Sequence, residues 1–137
     1  MTSLIDTHQH LMYPDKFGYS WTNEIPVLND KTYDVEAYAG LVGGDVEATI
    51  FMETGVDEAF YRRETEFALE LASDSTNNMV GVIAAAFPEN AKEFDEWLEH
   101  TTQNPLICGY RRILHVVDNA VSQHQTFRQN VRKIGDS

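Results

Sequence analysis

Apolar positions fall into four short continuous runs, separated by segments in which they recur at helical spacing. The first run, at Leu4–Ile5, turns polar at once through Asp6–Thr7–His8–Gln9–His10 and predicts a strand over 4–10. Residues 11–31 follow without periodicity. They hold Pro14, Gly18 and Pro26 among Tyr13, Phe17, Tyr19 and Trp21, which predicts a functional loop or a packed lid. Thr32 or Asp34 caps a helix to about Leu41, stopped by Gly43–Gly44. The run Ala48–Thr49–Ile50–Phe51–Met52–Glu53–Thr54 is rich in β-branched and aromatic residues and predicts a buried strand. Asp57 is expected to cap the next helix, in which Phe60, Phe67 and Leu71 alternate with Glu64, Glu66 and Glu70 as far as Ala72. A third strand is expected over 79–87, ended by Pro88. A helix follows over 91–100, with Phe94, Trp97 and Leu98 as its core positions. A fourth strand over 106–115 and a last helix from Gln123 or His124 to Ile134 complete the chain. Apolar strands alternating with helices predict a parallel sheet covered by helices.

With 137 residues and 42% hydrophobic content, the chain is one domain's worth of material with enough apolar side chains for a core. A formal charge of −12 disfavours nucleic acid and anionic membrane as partners. No window approaches the roughly 18 apolar residues of a membrane span. The start Met1–Thr2–Ser3–Leu4–Ile5–Asp6 has no basic segment before an apolar core, so a cytoplasmic protein is expected. The single cysteine, Cys108, excludes an intrachain disulfide, and its run Leu106–Ile107–Cys108–Gly109 predicts a buried structural thiol. Gly43–Gly44 precedes a strand, the wrong context for a dinucleotide fingerprint.

Strand alternation turns His8 and His10 to the same side, where two neutral imidazoles can chelate one divalent cation. Asp6 belongs to the same alternating set and could orient a histidine. The pair stands at the C-terminal end of a strand before a long loop, where sites form in parallel α/β sheets. Glu53, at the end of the second strand, could ligate the metal, contact substrate or bind the adjoining loop. Arg111 shares a parity with Ile113 and His115, and Arg112 with Leu114, so only one arginine should face the site. The alternative for each is an ion pair with the acidic helices. Trp21 is a substrate platform or loop packing. His100 and His124 are expected to be solvated.

The opening Ile5–Asp6–Thr7–His8–Gln9–His10–Leu11, followed by an aromatic loop through Tyr19–Ser20–Trp21, resembles the start of amidohydrolase family 2 proteins. Phe51–Met52–Glu53, Gly81–Val82–Ile83 and Gly109–Tyr110–Arg111–Arg112–Ile113–Leu114–His115 resemble the family's second, third and fourth strands in order. The fourth-strand segment points to the fuconolactonase-like and dicarboxylate-lactone hydrolase-like branch. The resemblance implies an α/β fold: the N-terminal (βα)4 half of a TIM-type (β/α)8 barrel. It implies hydrolysis of a sugar lactone or related cyclic ester, with one divalent metal, zinc first among the candidates, or none. It places His8 and His10, with Glu53 as a further candidate, on the metal. It places Arg112, His115 and Trp21 on a lactone or carboxylate substrate.

Such barrels take about 250 residues. The resemblance therefore implies that residues 1–137 are a partial domain, ending before strand five and lacking the family's later histidine and late aspartate. An incomplete, inactive site is then expected of this chain alone. Two other readings stay open: a non-catalytic piece whose exposed strand edges are covered by homo-oligomerisation, and a decarboxylase of the same superfamily.

Overall fold

The computed structural model describes residues 4–137. The leader reading at Met1–Ser3 lies outside the described residues. Four parallel strands form one sheet in the order β1 (Leu4–Gln9), β2 (Val46–Met52), β3 (Met79–Ala85), β4 (Ile107–Arg111). Each strand is joined to the next by a segment containing a helix: α1 (Val35–Val42), α2 (Tyr61–Ser73) and α3 (Ala91–Thr101). After β4 come the short α4 (Ala120–Gln123) and α5 (Gln125–Gly135). Spatial order follows chain order, so β1 and β4 are both sheet edges. Among the described residues, no helix is long and apolar enough to cross a membrane.

The elements form where sequence chemistry asks for them. Asp34 caps α1, its carboxylate accepting from Ala37 N at 2.9 Å. His124 is exposed as expected but caps α5 rather than lying within it, accepting from Thr126 N through Nδ1. His100 is exposed and bonded to Glu66 at 2.7 Å. The main core lies between sheet and helices, where Leu11, Phe51, Ala68, Met79 and Val82 are buried together. Phe94 and Trp97 of α3 are buried as expected, and Trp97 donates its indole N–H to Ala85 O at 3.0 Å.

Three expectations need correction. Asp57 does not cap α2; a 3-10 turn, Glu58–Phe60, precedes that helix, and the Asp57 carboxylate accepts from the Ser20 N–H and hydroxyl, both at 2.9 Å. The close approach needs a glycine at 18, where a Cβ would stand 2.3 Å from Asp57 Oδ2. Cys108 is exposed rather than buried. Its neighbour Ile107 packs toward the core, so alternation turns the thiol to the other face of the sheet, beside Gly81. The fourth strand stops at Arg111, because residues 112–117 leave the sheet despite their apolar content.

The long loop after β1 is a packed lid. Met12 and Tyr33 pair in an antiparallel bridge that closes it. Met12, Phe17, Tyr19 and Val56 form a second buried cluster under it, with Phe60 and Phe67 packed alongside. The Asp57–Ser20 contacts then fasten this lid to the loop after β2, at the C-terminal end of the sheet.

Candidate active site

His8 and His10 sit where β1 runs out of the sheet, and their Nε2 atoms lie 3.0 Å apart. His10 Nδ1 lies 3.0 Å from Met52 O. A carbonyl can only accept, so Nδ1 carries the proton and Nε2 keeps its lone pair for a ligand. Burial, with the nearby His8 and Arg111 adding to it, lowers the His10 pKa below its usual 6.5, which keeps the ring neutral at pH 7. Asp6 works on the backbone rather than on a ring. Its Oδ1 accepts from His8 N at 2.9 Å and its Oδ2 from the Tyr38 hydroxyl of α1 at 2.6 Å. The Tyr38 bond holds the Asp6 pKa below the usual 3.8, and burial together with the same bond pushes Tyr38 up to about 12.

The donor set fits the first two ligands of a divalent metal. With Zn–N bonds of about 2.0–2.1 Å, a 3.0 Å separation corresponds to an N–Zn–N angle of about 94°. Among the described residues, no group of three or more His, Cys, Asp or Glu side chains gathers in ligating positions.

The Glu53 carboxylate is engaged by its own loop and by Arg111. Its side chain is buried, Oε2 accepts from Gly55 N at 2.8 Å, and Oε1 lies 3.2 Å from Arg111 Nη1 without an aligned hydrogen bond. Gly55 adopts φ +69, the left-handed conformation that brings its N–H back onto this carboxylate. Arg111 Nη1 also donates to Glu53 O at 3.0 Å. Burial raises the Glu53 pKa despite these partners.

A second acid lies beneath it. Glu64 of α2 is 2% exposed, with Oε1 accepting from Thr54 N at 2.9 Å and Oε2 without a hydrogen-bond partner among the described residues. Burial is the main cause that pushes Glu64 up to about 8, with the Glu53 charge adding to it. Sequence reasoning missed this residue by grouping it with the charged face of its helix. The signal was present: Phe60, Glu64, Phe67 and Leu71 share the i, i+4, i+7 stripe that faces the core.

Because β4 ends at Arg111, alternation does not separate the two arginines, and both line one cleft of about 700 Å³. The same cleft is lined by His10, Glu53, His115 and Trp21. His8 is in contact with His10, which lines the cleft. Arg112 is held by Glu89, with Nε at 2.9 Å from Oε1, and its guanidinium lies 4.6 Å over the Phe87 ring. Its charge is thereby paired with Glu89, and its side chain lines the cleft. The Arg111 charge acts on His10, contributing to its lowered pKa. His115 and Trp21 are exposed at the rim.

No protein-family model matches the chain, and no curated protein does either. Solved structures do. An amidohydrolase from Burkholderia multivorans, solved with bound zinc, aligns at a TM-score of 0.77 and 21% identity over 98% of this chain. An amidohydrolase 2 from Bifidobacterium longum subsp. infantis aligns at 0.67 and 16% over 99%. A probable 2-pyrone-4,6-dicarboxylic acid hydrolase from Acinetobacter baumannii, solved with citric acid bound, aligns at 0.68 and 14% over 98%. The chain spans about half the length of these structures: 46%, 49% and 46%. The fold expectation therefore holds: four parallel strands in one sheet, matching half of a TIM-type barrel.

Proposed function

We propose that this chain supplies the metal-binding half of a hydrolase site for a lactone or related cyclic ester. The observation that carries the reading is the convergence of His8 Nε2 and His10 Nε2 at the C-terminal mouth of the sheet. A divalent metal held by the pair, zinc by its preference for imidazole, would supply Lewis acidity toward a carbonyl oxygen. The solved structure with bound zinc supports that choice of cation, and the one with citric acid bound supports a carboxylate-bearing ligand.

The chain's own residues do the positioning. Met52 O fixes the tautomer of His10, and Asp6, steadied by Tyr38, fixes the backbone of His8. Arg111 brings positive charge beside the pair, favouring a substrate carboxylate or a carbonyl that gains negative charge. Thr54 N–H holds Glu64 and Gly55 N–H holds Glu53, so neither acid is assigned as the proton acceptor. That group and the remaining ligands come, in this reading, from outside the described residues.

Calorimetric titration tests it with zinc and then 6-hydroxyhexanoate, the ring-opened form of a simple lactone. The expected result is zinc uptake and roughly tenfold tighter hydroxy-acid binding once zinc is present, both lost in His8→Ala/His10→Ala. Equal zinc and hydroxy-acid binding by the double variant would overturn the reading.

A further inference from the structure

The lining of the cleft divides by chemistry. The strand ends contribute His10, Glu53 and Arg111, whereas the loops and α1 contribute large apolar surfaces, among them Trp21, Leu28, Leu41 and Val116. Two of the tyrosines that line it have their hydroxyl protons taken, and the third already accepts a bond. Tyr33 donates to Val27 O at 2.6 Å, Tyr38 donates to Asp6 at 2.6 Å, and Tyr61 accepts from Arg62 Nε at 2.9 Å. Both carboxylate oxygens of Asp57 are taken by Ser20, and Arg112 is taken by Glu89. Trp21, Leu41 and Val116 are nevertheless 48%, 78% and 68% exposed in the described residues. Large exposed apolar side chains around a concave cleft are what an apolar ligand covers.

A polyhydroxylated sugar lactone fits such a wall badly. Each hydroxyl that leaves water needs a partner, and Tyr33, Tyr38, Asp57 and Arg112 along this wall are already engaged, which leaves Glu58, His115 and the Trp21 indole N–H to serve them. We propose that the cleft takes lactones or cyclic esters carrying an apolar or aryl substituent. The ring carbonyl lies toward His8 and His10, and the substituent lies against Trp21, Leu41 and Val116. The reacting end of this assignment rests on the hydrolase reading above, and the substituent end rests on the wall alone.

Two monoanions of equal charge separate wall chemistry from electrostatics: 4-phenylbutyrate and gluconate, each titrated into the metal-free chain. The readouts are affinity and the indole N–H resonance of Trp21, with buried Trp97 as internal control. Running without metal keeps a failure of the zinc reading distinct from a failure here. The expected result is binding of 4-phenylbutyrate at least about tenfold tighter than gluconate, with Trp21 shifted and Trp97 unmoved. Trp21→Ala and, independently, Val116→Asp should each weaken that binding by about tenfold. Gluconate binding as tightly would overturn the proposal. So would 4-phenylbutyrate binding that leaves the Trp21 resonance and both variants unaffected. Sedimentation as a dimer that binds neither anion would also overturn it, by assigning the wall to a second copy of the chain.

Discussion

Replacing Glu64 by glutamine should stabilise the fold in a way that grows with pH. The carboxyl sits 2% exposed under the loop after β2, and burial raises its pKa from 4.5 to about 8. Below 4.5 both the folded and the unfolded chain hold the proton. Between 4.5 and about 8 the unfolded chain releases it while the fold retains it, so stability falls with rising pH and levels off above 8. At about 1.4 kcal/mol per pH unit, the full loss approaches 5 kcal/mol. Glutamine keeps an oxygen for Thr54 N–H and has no charge to bury. The stability difference between Glu64→Gln and the native chain should therefore widen by about 4 kcal/mol between pH 5 and pH 9. Urea unfolding at intervals across that range measures it, each midpoint being converted through its own slope. A difference that stays constant with pH would refute the argument, because it would mean that Glu64 ionises in the fold as readily as in the unfolded chain.

Other perturbations probe the same framework. Arg111→Met leaves buried Glu53 without its cation and should cost about 3–5 kcal/mol in chemical unfolding, most of it recovered by adding Glu53→Gln. Asp34→Ala removes the cap on Ala37 N and should lower stability by about 1 kcal/mol, read from thermal unfolding. Tyr38→Phe should return the Asp6 pKa toward 3.8, so that Asp6 releases its proton at higher pH than in the native chain; carboxyl carbon NMR across acidic pH follows it.

Most of the architecture was legible because the second and third strands are largely apolar runs and the helices carry their own period. The β-α alternation, the Asp34 cap and the buried Phe94 and Trp97 follow from residues that speak for themselves. The misreadings arose where long-range partners outrank local chemistry. Asp57 looks like a helix cap, yet Ser20, far from it in sequence, claims both of its oxygens. Residues 112–115 look like strand, yet Arg112 leaves the sheet to reach Glu89 and Phe87. At the site, the i, i+2 rule brings His8 and His10 together, and a contact to Met52 O that no spacing reveals sets the His10 tautomer. Glu53 ends a strand as a ligand would, but its carboxylate is taken by Gly55 and Arg111. Glu64 was hidden by its charge: an acid on an apolar stripe reads as surface until its burial is seen.

The most direct test of the account is zinc titration followed by imidazole nitrogen NMR across the five histidines. The account predicts that the Nε2 resonances of His8 and His10 shift together with the first equivalent of zinc, while those of His100, His115 and His124 stay in place. Zinc that leaves His8 and His10 unmoved, or that shifts all five alike, would contradict a metal pair at the mouth of the sheet.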